Sequence, residues 1–374
     1  MIFIIGIFVS IFLAILLFSK SGRKLPDRIL AIWLLIIGIH IFTYYSFSTG
    51  LIYRYNFLIG LNFPFPFLHG PILYIYTLSI TQPERPKLKI WLGHFVLPLV
   101  VLASTVSFLL LPMDQKIYVF RNEGEGYETF LLSINVILSL SGLTYIYITN
   151  KLLLKHRHRI LQEFSYKEKI NLDWLQFLFF GMGLIWISII LNLSDNWIFT
   201  LATLFVIFIG YFGISQSNIF NYQQPENIGS ESEIILDDQG DGLDTKRKYA
   251  KSGLTKSSSE DLHHRLTLLM RQHRLYREPG LTLVELANRL DIHPNYLSQV
   301  INEIEKNNFY DYINGLRIEE FKKEIIKAEN KKYTLIYVAF DCGFNSKSAF
   351  NRYFKKIEGQ SPTEFLKSYE NENL

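Results

Sequence analysis

Two short segments near the end of the chain concentrate amide, hydroxyl and basic side chains at helical spacing. In the first segment the side chains predicted to face outward are Asn295, Tyr296, Ser298, Gln299 and Asn302. In the second segment they are Ser346, Lys347, Ser348, Asn351, Arg352 and Lys355, followed by Lys356. Asn and Gln can pair with adenine and Arg with guanine in the major groove. The two segments therefore predict contact with double-stranded DNA, with Lys356 meeting phosphates.

The first segment follows the signals of a helix and a tight turn. Thr282 and Glu285 have the spacing of a capping box, in which a hydroxyl and a carboxylate satisfy free N–H groups at a helix start. Pro294 suits the first position of the next helix, where a missing N–H costs little. The apolar residues predicted to face inward are Leu283, Leu286, Ala287, Leu290, Leu297 and Ile301. This pattern predicts a helix-turn-helix whose second helix fits the major groove.

The same layout recurs downstream. Four residues repeat the first buried face 52 residues on, and Phe350 and Phe354 repeat Leu297 and Ile301 at an offset of 53. The four are Leu335, Val338, Ala339 and Cys342. A long helix over Phe309–Asn330 is predicted to join the two units, and Ser361-Pro362 starts a short final helix. Duplication favours a DNA reader over the alternative, which is a helical domain for protein contacts.

Five segments of this region carry a family resemblance. They are LTLVELA at 281–287, NYLS at 295–298, AFDCGF at 339–344, SAFNRYFKK at 348–356 and GQSP at 359–362. Together they resemble the DNA-binding domain of AraC/XylS-type transcription regulators, over about a quarter of the chain. The resemblance implies base-reading roles for Asn295, Ser298, Gln299, Lys347, Ser348, Asn351 and Arg352. Gln299 departs from common members, which have Arg or Lys there, and the whole layout is similar to multi-pass bacterial membrane proteins that end in this domain.

Seven apolar stretches precede residue 216. Each is near the ~20 residues that an α-helix needs to cross ~30 Å of hydrocarbon, and their central parts contain no charged residue. The stretches are Ile2–Ser19, Ile29–Phe47, Phe57–Ile80, Ile90–Leu111, Thr129–Leu154, Trp174–Leu193 and Trp197–Ile214. Residues 1–215 hold 16 Lys and Arg with 10 Asp and Glu, against 22 and 24 in the rest. This distribution rules out a wholly soluble protein and predicts a seven-helix membrane bundle.

The basic residues between these stretches predict the orientation. Alternate loops, beginning with the one after the first stretch, hold 13 Lys and Arg, and the other loops hold three. Basic residues concentrate in cytoplasmic loops. The bias predicts an N-terminus outside and a C-terminal domain in the cytoplasm, which seven crossings satisfy. The resemblance to multi-pass bacterial membrane proteins implies that the membrane is the bacterial inner membrane.

The third stretch contains the best candidates for a ligand site in the membrane half. The candidates are Asn62, His69 and Tyr74. Nearby prolines break the helical hydrogen-bond ladder, which is tolerated where protein or water satisfies the freed groups. A ligand pocket or hinge is one interpretation, and a kinked packing helix is the other.

No cofactor, metal site or enzyme activity is predicted. The single cysteine, Cys342, excludes a Cys-rich zinc site, and the sequence contains no nucleophile triad, phosphate-binding glycine loop or kinase signature. Ion-coupled transport usually requires charged groups within the membrane, which the stretches lack. The lack of charged groups does not exclude a transporter of neutral solutes.

The predicted organisation is all-α, with a membrane domain at 1–215, a linker at 216–261 and a DNA-binding domain at 262–374. Residues 217–261 hold nine acidic and five basic residues and no apolar run, which is typical of a flexible tether. The predicted function is a membrane-bound transcription regulator that binds double-stranded DNA and senses an unknown small molecule or membrane signal. A homodimer is a candidate assembly. The alternative is a transporter or enzyme-like membrane domain with a fused regulatory module.

Overall fold

A computed structural model describes residues 1–55, 58–82, 88–166, 173–215, 256–330 and 332–372. The contacts divide the chain into two units. The first unit comprises Met1–His156 and Leu172–Gln224, and the second comprises Arg157–Asn171 and Pro225–Leu374. Most of the predicted linker at 216–261 lies outside the described residues, and its last six residues begin a helix.

The first unit is built from helices. Among them are α1 (Ile2–Ser19), α2 (Leu25–Ser48), α8 (Glu128–Glu163, whose last residues belong to the second unit) and α10 (Asp195–Ser215). The others are α3 (Phe65–Thr81), α4 (Leu88–Gly93), α5 (Val96–Ser104), α6 (Val106–Leu109), α7 (Met113–Arg121) and α9 (Asp173–Ile190). The helical class predicted from the sequence is confirmed within the described residues.

The predicted number of membrane helices was wrong. Within the described part of the chain, four helices are long and apolar enough to cross a membrane, not seven. These four segments are Ile2–Ser19, Leu25–Ser48, Glu128–Glu163 and Asp195–Phe212. Trp91–Ser104 and Leu175–Ile190 are shorter apolar helical segments.

Backbone interruptions break or shorten the other three predicted stretches, although α9 (Asp173–Ile190), at 18 residues, is as long as α1. The stretch predicted at Phe57–Ile80 becomes a helix only from Phe65, because the residues before it form turns that end at Pro64. The stretch predicted at Ile90–Leu111 is divided into α4, α5 and α6. The helix predicted at Trp174–Leu193 ends at Ile190, and Asn192 beyond it has a left-handed φ of 52°. Hydropathy averages over such breaks and does not detect them.

Small residues let the long helices of the first unit approach closely. A Cβ added at Gly38 of α2 would lie 2.3 Å from the Ser10 Oγ of α1, and one added at Gly6 would lie 2.8 Å from Thr203 of α10. Close backbone approach at small residues is how helices associate where no water drives them together. Trp33 of α2 is fully buried in the resulting core.

The second unit contains two helix-turn-helix units joined by a helix. Its helices are α11 (Lys256–His273), α12 (Leu283–Arg289), α13 (Pro294–Glu303), α14 (Phe309–Ile325), α15 (Leu335–Asp341), α16 (Lys347–Glu358) and α17 (Pro362–Glu372). The predicted capping box is present, with Thr282 Oγ1 accepting from Glu285 N at 3.2 Å and Glu285 Oε2 accepting from Thr282 N at 2.9 Å. The structure confirms the duplicated layout.

The joining helix α14 contributes to both small cores. Ile313 packs with Leu286, Leu297 and the other apolar residues of the first helix-turn-helix. Phe321 packs in the second core, where its ring lies 4.7 Å from that of Phe350. The helix ends at Ile325, earlier than predicted, and a 3₁₀ turn covers Ala328–Asn330. One helix therefore packs against both helix-turn-helix units, through Ile313 in the first core and Phe321 in the second.

Cys342 is buried in the second core, which predicts an unreactive thiol. Its side chain is fully buried, and burial raises the pKa of the thiol to about 12. Because the thiolate is the nucleophile, we expect alkylation of the folded chain at pH 8 to be at least roughly a hundredfold slower than in denaturant. Mass-spectrometric labelling with N-ethylmaleimide in nanodiscs and in urea measures the ratio. Equal rates would show that the second core is open.

Candidate DNA interface and a cavity in the first unit

One side of α16 presents the predicted base-reading residues to solvent. Lys347, Ser348, Asn351, Arg352 and Lys355 are all exposed and follow the spacing of a single helical stripe. The opposite side of the helix, including Phe350 and Phe354, is buried. Ser346 caps the helix, because its Oγ accepts from Ala349 N at 3.0 Å. The Ser346 hydroxyl therefore serves the start of the helix, and the stripe after it is exposed to solvent.

Lys356 lies beside this stripe and holds α16 against α14. Its Nζ is 2.8 Å from Asp311 Oδ1 and 5.2 Å from the centre of the Tyr353 ring. The Tyr353 hydroxyl donates to Asp311 O at 2.8 Å. The predicted phosphate contact of Lys356 would thus come from a side chain that already has a carboxylate partner.

The first reading helix, α13, is arranged differently. Asn295, Ser298 and Asn302 have the spacing of one side of the helix, and Tyr296 next to them is 38% exposed. Gln162, at the end of α8, contacts two of these residues. Its Oε1 accepts from Asn302 Nδ2 at 3.0 Å and from Ser298 Oγ at 3.4 Å.

Gln299 does not face outward as predicted. It is only 5% exposed, and its Nε2 donates to Glu303 Oε1 at 3.2 Å. The buried part of α13 is wider than the predicted stripe through Leu297 and Ile301, because α11 also packs against this helix. Gln299 therefore contributes to packing in this arrangement.

Arg317 of α14 positions the elements around α13, and sequence reasoning missed it. Its side chain is 1% exposed, and its Nε and Nη2 donate to Tyr276 O at 2.7 Å and Glu278 O at 2.8 Å. Its Nη1 donates to Ser165 O at 3.0 Å. A buried basic side chain is rare unless it is paired or hydrogen-bonded. Its only signal in the sequence is a charged residue on the apolar side of a predicted helix.

A second site lies in the first unit, where a cavity of about 360 Å³ occurs among its helices. Its walls are mainly apolar and aromatic, including Phe67, Trp186 and Phe199. The polar residues that line it are His40, Asn62, His69, Asn135, Asn192 and Asp195. A cavity lined by apolar and aromatic residues together with several polar groups is typical of small-molecule sites.

A chain of hydrogen bonds sets the polarity of one wall. Trp33 Nε1 lies 3.2 Å from His69 Nδ1, and His69 Nε2 lies 3.0 Å from His40 Nδ1. The indole of Trp33 can only donate, so Nδ1 of a neutral His69 is an acceptor and its Nε2 carries the proton. His69 Nε2 then donates to His40 Nδ1, which leaves the proton of a neutral His40 on Nε2. Trp33 thereby makes Nε2 of a neutral His40, one of the cavity-lining residues, a hydrogen-bond donor.

The structure brings together two of the three predicted ligand-site residues. Asn62 and His69 line the cavity, and Tyr74 lies elsewhere, with its ring 4.9 Å from that of His94 and 6.4 Å from that of Tyr145. The neighbours of the prolines thus form a cavity wall. His40, Asn192 and Asp195 come from distant parts of the sequence.

Comparison with known proteins identifies the class of the C-terminal domain. Residues 286–368 match a family model described as a helix-turn-helix domain, of the AraC type. This range includes most of the first helix-turn-helix and all of the second. It defines a domain class whose members are DNA-binding regulators.

A more specific relative is an uncharacterized HTH-type transcriptional regulator, YijO, from Escherichia coli (strain K12). The two chains are 33% identical over 90 residues, which is 24% of this chain and 31% of the relative. The match therefore spans under a third of the relative's length. No solved structure matches the chain.

Proposed function

We propose that this protein is a membrane-embedded transcription regulator that binds specific sites on double-stranded DNA. The observation that carries the proposal is the exposed stripe of Lys347, Ser348, Asn351, Arg352 and Lys355 on α16, within the matched helix-turn-helix domain. These are the side-chain types that read base edges and phosphates. The chain acts by binding, and DNA is its partner.

The exposed apolar surface of the first unit supports the proposal that lipid surrounds it. Large apolar side chains remain exposed on its longest helices, including Phe8 at 69%, Leu140 at 61% and Tyr211 at 64%. Soluble proteins rarely expose contiguous apolar surface of this kind. We propose that α1, α2, α8 and α10 cross the bacterial inner membrane.

The orientation proposed is N-terminus outside and second unit in the cytoplasm, where DNA lies. The 13 to 3 distribution of basic residues between alternate loops supports it. Four crossings would leave both ends on one side, so this orientation requires an odd number of the shorter apolar segments to cross as well.

Labelling of engineered cysteines tests the orientation. In intact spheroplasts a membrane-impermeant maleimide is expected to label Glu123→Cys, which lies before α8, and to label Ser21→Cys and Gln272→Cys only after lysis. The buried thiol of Cys342 makes little background signal. Labelling of Gln272→Cys from outside would contradict the proposal.

Mapping of bound DNA across the genome tests the function itself. The full-length protein should enrich a shared sequence motif, and its affinity for that motif in nanodiscs should fall with salt, because phosphate neutralisation releases counterions. Binding without sequence preference, or no binding, would contradict the proposed function. If the duplicated helices instead bind a protein partner, we expect no binding to DNA.

We propose further that the cavity in the first unit binds the signal, a small molecule with an apolar body and an uncharged or cationic head. Asp195 is the charged residue among those that line the cavity, and His40 offers a donor. An anionic head would be repelled by the carboxylate of Asp195. Asp195 lies at the start of α10, in a connection that is outside in the proposed orientation.

Three probes with one apolar body and different heads test this site. We expect 2-phenylethylamine and 2-phenylethanol to quench tryptophan fluorescence saturably in nanodiscs, and phenylacetate to bind at least roughly tenfold more weakly. Asp195→Asn should remove the disadvantage of phenylacetate relative to 2-phenylethanol, because the repelling carboxylate is gone. Trp186→Phe assigns the signal to the cavity. No saturable response to any probe, or equal binding of phenylacetate, would refute the proposed ligand class.

A further inference from the structure

The end of α8 covers part of the reading side of α13. The Gln162 side chain exchanges hydrogen bonds with Asn302, its Oε1 accepting at 3.0 Å and its Nε2 donating at 3.4 Å, and also accepts from Ser298 Oγ. Ser298 and Asn302 are two of the residues predicted to contact bases. All three side chains of this cluster belong to the second unit, which includes Arg157–Asn171.

Ser165 anchors this segment. It is fully buried, its Oγ donates to Leu281 O at 2.6 Å, and its carbonyl accepts from Asn314 Nδ2 at 3.0 Å. Arg317 donates to both oxygens of Ser165, at 3.0 Å to the carbonyl and 3.2 Å to Oγ. The buried polar groups of Ser165 and of the DNA-binding domain satisfy one another's hydrogen bonds. A fully satisfied buried network of this kind fixes a single geometry of the segment.

Two further contacts hold the segment around Ser165 against the DNA-binding domain. Phe164 forms an isolated antiparallel bridge with Thr282, the residue that caps the first helix-turn-helix. Leu161 packs against the core of the second helix-turn-helix. The segment thus contacts both halves of the DNA-binding domain through apolar and polar groups.

We propose that residues 160–166 are an intramolecular competitor of DNA for α13. The major groove is about 12 Å wide, and one α-helix with its side chains is about 10–12 Å across. A groove filled by α13 has no room for the end of α8 beside it. Gln162 also occupies the hydrogen-bonding groups of Ser298 and Asn302 that bases would use. DNA binding through α13 therefore requires release of this segment, whereas the stripe on α16 stays exposed.

Helix α8 carries both Gln162 and part of the wall of the cavity that is proposed to bind the signal. Leu131, Ile134, Asn135 and Leu138 of α8 line the cavity in the first unit, and Gln162 is near the end of that helix. A ligand that binds better to one position of α8 shifts the equilibrium between docked and released segments. This inference rests on the proposed function, since it concerns regulation of the same DNA interface.

A reversible cross-link tests the competition. In the full chain in nanodiscs, Gln162→Cys with Asn302→Cys is bridged by a short bifunctional methanethiosulfonate reagent and released by dithiothreitol. We expect DNA carrying the mapped motif to slow bridging roughly tenfold, and the bridged protein to bind that DNA at least roughly tenfold more weakly than the same protein after reduction. The single variant Gln162→Cys, treated in parallel, controls for modification alone.

A second pair of variants tests the contact without a cross-link. Gln162→Ala with Ser165→Ala removes side-chain hydrogen bonds of the segment and is expected to tighten DNA binding by roughly threefold to tenfold. Gln272→Ala, at an exposed glutamine of α11, should leave the affinity unchanged. Unaltered affinity in both the cross-linked and the double-alanine proteins would overturn the inference. If no form, including the wild type, selects a DNA sequence, the proposed function fails instead.

Discussion

Replacing Arg352 with alanine is expected to weaken binding of the full-length protein to its preferred DNA site by roughly 5- to 150-fold. The expected loss is about 1–3 kcal/mol if the guanidinium makes a bidentate contact with a guanine. Arg352 lies in the middle of the exposed stripe of α16, whose position is fixed by Phe350 and Phe354 in the core behind it. Fluorescence anisotropy with the preferred site and with a site changed at one guanine measures the effect.

Two matched variants separate base reading from charge. Arg352→Lys keeps the charge and loses the planar fork, so it should lose nearly as much affinity as Arg352→Ala. Lys355→Ala, one turn along the same exposed stripe, should weaken all sequences alike and reduce the salt dependence by about one phosphate contact. If Arg352→Ala also weakens all sequences equally, Arg352 contacts a phosphate and another residue of the stripe reads the base.

The DNA-binding domain was predictable because its signals are local. The capping box of Thr282 and Glu285, the proline at the start of α13 and the apolar spacing all act within one or two helical turns. The duplication added a second copy of the same signals. The structure reproduces each of these features, so the two reading helices could be located from the sequence.

The number of membrane helices was not predictable in the same way. Mean hydropathy is nearly the same for a continuous helix and for three short helices in series. The break between α5 and α6 depends on one residue, Thr105, whose N–H bonds to both Val101 O and Leu102 O. The prolines at 64 and 66 were visible, but the turns that precede α3 depend on how neighbouring residues pack.

The contacts that cover α13 were beyond sequence reasoning for a different reason. Gln162 and Asn302 are 140 residues apart, and Ser165 and Arg317 are 152 apart. No periodic pattern connects such positions. Gln162 follows Lys155, Arg157 and Arg159, basic residues that served only to predict the orientation, and in the structure Arg157–Asn171 belong to the second unit. The unusual feature was Arg317, a charge one helical turn from both Ile313 and Phe321 on the buried side of α14.

Gly343 is the position in the second unit where a single methyl group is expected to destabilise the domain most. It follows Cys342 in the turn before α16 and has a φ of +99°. A Cβ there would lie 2.5 Å from Tyr276 O and 2.9 Å from the Cα of Arg277, both backbone atoms of the neighbouring segment. Because neither atom can move cheaply and the left-handed conformation adds strain, we expect Gly343→Ala to destabilise the unit by about 3 kcal/mol or more.

The thiol of Cys342 reports this change in the full chain, because alkylation requires the second core to open. Gly343→Ala should accelerate alkylation roughly a hundredfold or more, since each 1.4 kcal/mol is a factor of about ten. Gly359 has a φ of +70°, and no atom lies near a Cβ added there. Strain alone should therefore make Gly359→Ala accelerate alkylation of Cys342 roughly tenfold. Gly315→Ala, in the interior of α14 with open space around it, should slow alkylation by roughly threefold, because alanine stabilises a helix relative to glycine by about 0.5–1 kcal/mol. Equal rates for all three variants would mean that the turn at Gly343 does not control the second core, and that α16 is positioned by its packing on α14 alone.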